Sequence, residues 1–251
     1  AEKAMLAATN SVNTHKGALF SMGLAVVAAA YEEKKAAANK EERGKEKEKE
    51  ERGKEREKEE KEDSQVSLKN LAPLESLASP LSSLQLTIKA LAASFPDTSG
   101  THGSKAKQTA ASETATFKGA LDNAREGYPM LFNDWLPFYA NLSKNGEPHA
   151  LHLTLLRIMC DLDDTNVIYR TNVATAEEVK QEARALLASF EEAYAAEDKE
   201  KCASTIEEKC ASAELLALKD MDRRYTVRNI SPGGAADMLS LTVFIGSIQT
   251  Y

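Results

Sequence analysis

Three short stretches of the chain carry residue types that could do chemistry. The first is "NTHKG", where Asn13, His15, Lys16 and Gly17 stand directly before a nearly unbroken apolar run that ends at Tyr31. Asn13 or Thr14 suits the N-cap of a helix, which puts His15, Lys16 and Gly17 in its first turn. A lysine there opposes the helix dipole, at a cost of about 0.3–1 kcal/mol unless something negative is near. Unpaired backbone N–H groups, a cation and a residue without a side chain fit an anion. A solvent-facing lysine beside a surface histidine fits the spacing equally well.

The second stretch is "CDLDDTNVIYR". At about 100° per residue, Asp163, Asn166 and Arg170 share one face of a helix and extend the stripe of Leu156, Met159 and Cys160. A carboxylate, an amide and a guanidinium on a core-facing stripe are costly unless they pair or meet a ligand. Asp161 and Asp164 add acidic oxygens of the kind Mg²⁺ takes while keeping several waters. A metal or phosphate site and an ion-pair network that fixes helix register both fit. The third stretch is "RNISPGG", in which Ser231 suits an N-cap and Pro232 the first helical position. Gly233 and Gly234 follow, at about 1 kcal/mol each against Ala. That is worth having where a ligand or another backbone comes close, tight helix packing being the plainer reading. Asp237 lies one turn on, with Arg228 and Asn229 just before.

The elements that must position these clusters read as helices. From Pro80, Leu81, Leu84, Ile88 and Leu91 recur at helical period. A weaker helix is expected over Thr114 to Glu126, and a kink at Pro137 inside "YPMLFNDWLPFYANL". Thr175 and Glu178 have the spacing of a capping box opening "AEEVKQEARALLASF". No stretch alternates at period two for long, so the predicted class is all-α, a single helical bundle. That domain comprises residues 1–31 and 64–251. Between them, residues 32–63 hold 12 basic and 14 acidic side chains and no large apolar one. Such a segment is expected to be a disordered or solvated-helix insert, the latter held by i,i+4 pairs.

Bulk properties narrow the function. The 251-residue chain has a formal charge of −7, which offers no basic field for nucleic acid. The apolar run from Gly17 to Tyr31 is shorter than the roughly 20 residues a bilayer crossing needs, so no membrane partner is expected. Cys160, Cys202 and Cys210 make neither a disulfide framework nor a CxxC knuckle. With no signal peptide in "AEKAML", a cytoplasmic setting is the expectation. Taken together, the three clusters predict one polar pocket for a phosphorylated ligand with a divalent ion.

At these residues the sequence resembles the triphosphoribosyl-dephospho-CoA synthase family, found with citrate lyase and malonate decarboxylase systems. The likeness runs in order through "VNTHKGALFSMGL", "THG", "AREGYP", "LDDTNVIYR" and "RNISPGGAADMLSLTVF". It implies an all-helical transferase that joins ATP to 3′-dephospho-CoA with release of adenine. The product is the prosthetic-group precursor of an acyl carrier protein. By this resemblance Lys16, Gly17, Ser231, Gly233 and Gly234 hold phosphates, Arg170 contacts phosphate, and Asp163 and Asp164 hold Mg²⁺. His15 or Asp237 handles the proton or orients ribose, and Asn13, His102, Asn166 and Asn229 complete the nucleotide site. A Ser-Pro-x-Pro-Gly-Leu-Val-Asp-like segment that precedes the His-Lys-Gly block in the family has no counterpart here, and Leu121, Asp122 and Asn123 replace an Arg-Gly-Glu. The alternative expectation is therefore a truncated or divergent member that binds nucleotide or a partner without turnover.

Overall fold

The computed structural model describes residues 16–57, 80–97, 117–197 and 207–248. All regular structure there is helical: α1 (Lys16–Glu57), α2 (Pro80–Ala93), α3 (Ala120–Glu126), a π turn (Leu131–Trp135) running into α4 (Leu136–Lys144), α5 (Ala150–Asp161), α6 (Thr165–Arg170), α7 (Val173–Glu197), α8 (Glu207–Val227) and α9 (Gly233–Ile248). None of these helices is long and apolar enough to cross a membrane.

Helix α9 is the hub. Its sequence, "GGAADMLSLTVFIGSI", is apolar nearly all round, the pattern of a helix surrounded by others. It packs on α1, α4, α5 and α6, burying Ala235, Met238, Leu241, Thr242 and Ile245. The inward face of α1 carries Ser21, Leu24, Ala25 and Ala28, at the i, i+3, i+4, i+7 spacing of a core stripe. On the far side α5 packs against α7, whose Ala176, Val179, Ala183, Leu187 and Phe190 repeat at the same period, and α8 closes on α7.

Several expectations are corrected in detail. The charged stretch from Glu32 continues α1 as helix through Glu57, with Glu41 and Lys45 paired at i,i+4 over 2.6 Å; residues 58–63 lie outside the described set. The helix expected from Thr114 begins at Ala120, because Asp122 reaches back to the Gly119 N–H at 2.7 Å and caps the start there. Pro137 has no N–H to give a preceding carbonyl, and a π turn stands immediately upstream of it. The α7 cap is Asn172, whose side chain accepts from the Thr175 N–H at 2.8 Å, while Glu178 pairs with Arg228. Finally, the stripe through Cys160 to Arg170 is two helices. Leu162 leaves α5 in an extended conformation and Asp164 starts α6.

Candidate active site

That break at Leu162–Asp164 is the key to the site. Asp164 is the N-cap of α6, and its Oδ1 accepts from the backbone N–H of Asn166 at 2.9 Å and of Val167 at 3.4 Å. Its Oδ2 accepts from the Ala235 N–H, in the first turn of α9, at 2.9 Å. One carboxylate thus caps two helix starts, one of them on an element 71 residues away. Asp164 is only 6% exposed; burial pushes its carboxyl up, against the downward pull of the amides of Ala235, Asn166, Val167 and Gly234.

The paired glycines make that approach possible. A Cβ on Gly234 would stand 3.0–3.1 Å from the Asp164 carboxylate, and one on Gly233 would stand 2.8 Å from the Asn166 amide nitrogen. The start of α9 is therefore pressed against the start of α6. The first turn of α1 joins from the other side. A Cβ on Gly17 would fall 2.2 Å from Asp237 Oδ2, so the missing side chain leaves the space that this carboxylate occupies. Three helix starts converge at one junction, as the sequence motifs predict.

A residue the motif reading missed completes the junction. Tyr128 follows Gly127, the left-handed cap of α3 (φ 80°), and itself has φ 48°, an unusual conformation for a bulky side chain. It is held there by its N–H to the Asn123 carbonyl at 2.8 Å and by a buried ring. Its hydroxyl donates to Ser21 Oγ, one turn into α1, at 2.9 Å. Burial pushes the Tyr128 pKa up to about 12, with the Asp237 carboxylate adding to the rise. The phenol is thus a fixed hydrogen-bond donor at any working pH. Its signal in the sequence was the Gly-Tyr-Pro of "AREGYP", legible as a turn but not as a contact with α1.

Other expected site residues lie at the edge. Arg170 is exposed, 3.4 Å from the Asn229 side-chain oxygen. Asn229 takes φ 55° as the left-handed cap of α8, with Asn229 N–H on the Thr226 carbonyl and Ile230 N–H on Tyr225. The first helical bond of α9 runs from Ala236 N–H to the Pro232 carbonyl, so Pro232, not Ser231, is its capping position. Asn13, His15 and His102 lie outside the described residues, as does the side chain of Lys16. The donors near Asp164 do not fit Mg²⁺ bound by the protein. Asp164 is closed by amides, Asp163 is ion-paired with Lys180, and the described residues hold no cluster of three His, Cys, Asp or Glu suited to a metal.

Beside the junction, a groove runs between the turn at Tyr128–Leu131 and the α5–α6 break. Trp135 and Met238 contribute to its walls, with Lys118, Asp161 and Asp163 around it.

The chain is 29% identical to the protein CitXG of Leuconostoc mesenteroides subsp. cremoris, over 99% of this chain and 42% of that protein. It is 29% identical to a probable 2-(5''-triphosphoribosyl)-3'-dephosphocoenzyme-A synthase of Azotobacter vinelandii, over 99% of this chain and 65% of that one. The synthase of Haemophilus ducreyi is 27% identical over 99% of this chain and 64% of its own length. The chain thus spans less than two thirds of the length of these relatives. No solved structure matches it. The family model of CitG, ATP:dephospho-CoA triphosphoribosyl transferase, matches residues 1–251, and the chain belongs to that family.

Proposed function

We propose that this chain forms the nucleotide-handling core of a transferase that joins ATP to 3′-dephospho-CoA. In this reaction the 2′-hydroxyl of dephospho-CoA attacks C1′ of the ATP ribose. The C1′–N bond to adenine breaks, the new C1′–O bond forms, and the hydroxyl proton is lost while adenine leaves with a proton gained. The product is 2'-(5''-triphosphoribosyl)-3'-dephospho-CoA, the prosthetic-group precursor of an acyl carrier protein. A cytoplasmic setting suits those substrates.

The observation that carries the reading is the meeting of three helix starts at Gly17, Gly233–Gly234 and Asp164. Helix N-termini gathered at one place favour a triphosphate, the Asp164 carboxylate offsetting part of that potential at α6 and α9. Lys16, Gly17 and the Ser231–Gly234 turn would hold phosphate, with Arg170, Asn166 and Asn229 at the rim and Asn13 and His102 supplied from outside the described residues. Asp237, whose carboxylate lies beside Gly17, would orient ribose or take the attacking proton, with His15 as the other candidate. Mg²⁺, which neutralises triphosphate charge, would come with ATP, because Asp163 and Asp164 are already engaged.

Incubating the chain with ATP and dephospho-CoA and following free adenine and the joined product by mass spectrometry tests the proposal. Stoichiometric release of both is expected; dephospho-CoA and ATP recovered intact would refute it. Lys16→Ala is expected to weaken ATP binding, and unchanged affinity would remove that residue from the phosphate site.

A further inference from the structure

We propose that the groove beside the helix-start junction is the seat of an adenine ring. The inference rests on the transferase reading and adds to it where a base lies. The groove has a cavity volume of about 150 Å³. Pockets that take a whole drug-sized ligand begin near ~300 Å³, so this one suits a ring system rather than a nucleotide. Tyr128, Pro129, Met130, Leu131, Trp135 and Met238 line it with flat or soft apolar surface.

Its electrostatics disfavour phosphate. The groove lies at the C-terminal end of α5, where the helix dipole is negative and Asp161 is exposed. The other three charges at the rim are already paired, Lys118 with Glu126 at 2.7 Å and Asp163 with Lys180. A neutral heteroaromatic ring that carries an amino group matches that field, since its N–H bonds can meet the acidic rim. The indole N–H of Trp135 supplies the opposite need. Trp135 is 3% exposed, and its Nε1 has no hydrogen-bond acceptor among the described residues. A ring nitrogen seated against the indole edge would offer one, and a buried donor left without a partner is costly.

The groove is also in the right place. Tyr128 lines it while its hydroxyl binds Ser21 of α1, Asp163 precedes the double cap at Asp164, and Met238 follows Asp237. A base in the groove leaves its sugar and phosphates directed past these residues toward the positive helix starts. Both substrates of the proposed reaction carry adenine, so the shared chemistry is the adenine ring, and the choice of substrate is a matter for experiment.

Trp135 is the only tryptophan of the 251-residue chain, so the emission of this chain reports on the groove without mutation. The chain is titrated separately with ATP, 3′-dephospho-CoA, adenosine and inorganic tripolyphosphate. Saturable changes with adenosine and with at least one nucleotide are expected, and none with tripolyphosphate. A response to ATP but not dephospho-CoA assigns the groove to the leaving base; the converse assigns it to the acceptor. Emission unmoved by every adenine compound, or moved by tripolyphosphate as strongly as by ATP, overturns the proposal. Trp135→Phe keeps a ring and removes the N–H. It should raise KM for the adenine substrate about fivefold, the worth of one hydrogen bond, and leave kcat within about twofold. Product formation with an unresponsive Trp135 would sink the base site and spare the transferase. An adenosine response without product would do the reverse.

Discussion

The molecule is joined in two contrasting ways. At the helix-start junction, α1, α6 and α9 meet through glycines and backbone amides, with one buried carboxylate capping two helices. On the opposite flank, α7 and α8 meet through long charged side chains, Arg224 with Glu182 at 2.5 Å and Arg228 with Glu178 at 2.6 Å. The first joint turns on one buried carboxylate that two helix starts share, so a change in Asp164 moves both. The second is spread over flexible, solvated chains that re-form or dissolve at little cost. The part with least freedom is the part in which the proposed chemistry is placed.

Breaking the tight joint should have the largest effect. Asp164→Ala leaves the amides of Asn166, Val167 and Ala235 without their acceptor, removing two caps worth about 1–2 kcal/mol each. A loss of about 2–4 kcal/mol in urea unfolding is expected. The loss should be the same with Mg²⁺ or with a chelator, because these acceptors hold amides rather than a metal. A metal-dependent difference would return Asp164 to the role the motif first suggested.

Next comes Gly234→Ala. In an ordinary helix this change gains about 1 kcal/mol. Here the new methyl meets the Asp164 carboxylate at 3.0–3.1 Å, and that group is held from three sides and cannot retreat. A net destabilisation of about 1–3 kcal/mol is expected. An unchanged or raised melting temperature would show that the joint is looser than its geometry. Gly17→Ala differs in kind. Its methyl would strike Asp237 Oδ2, the tip of a side chain that must shift to admit it. Stability should change by less than about 1 kcal/mol, helix propensity offsetting the displacement, while product formation falls sharply. Loss of activity without loss of fold would assign Asp237 to the chemistry.

How far the sequence foretold this joint depends on the residue. Gly17, Gly233 and Gly234 are legible because a glycine in a first helical turn costs stability and needs a reason. The reasons read from sequence were a ligand or tight packing against another element; the structure supplies a neighbouring side chain at each. Asp164 is legible as an acid before a helix but not as a cap for α9, since that partner is 71 residues away and no local pattern reaches so far. The α5–α6 break was missed for a related reason. "CDLDDTN" keeps the helical spacing, and the break is fixed by Asp164, which caps α6 through the Asn166 and Val167 amides and also reaches the Ala235 amide of α9. Helix α1 was half legible. Its i,i+4 charges allow a helix through Glu57, yet nothing local in the sequence separates a solvated helix from a disordered one.

Between the two joints in rigidity stands the contact of α1 with α2, where Glu32 accepts from the hydroxyls of Ser83 and Thr87. Burial raises the Glu32 pKa, but those two hydroxyls and Lys35 outweigh it and hold the carboxyl below the ordinary range. Glu182, with Arg224 and Tyr225 outweighing its own burial, is lowered in the same sense. A carboxyl depressed in the folded state adds stability above its unfolded pKa and loses it as pH falls through the folded one. Stability should therefore hold near neutrality and decline as pH drops below the ordinary glutamate range. In Glu32→Gln that decline should be shallower, and an identical acid limb in the variant would remove Glu32 from the account.

The smallest effect is expected where the drawn contacts look most impressive. Arg228 reaches across from α8 to Glu178 of α7, yet both side chains are about half exposed, at 45% and 57%. Water competes for each partner, salt screens the pair, and ordering two long side chains consumes much of the attraction. Arg228→Ala should leave the melting temperature nearly unchanged at physiological salt, with the small difference vanishing as salt is raised. The α7–α8 contact survives because Met221 and Tyr225 are buried on the inner face of α8. A large, salt-insensitive loss would mean that the exposed pairs, not those apolar side chains, hold the flank, and the contrast between the two joints would collapse.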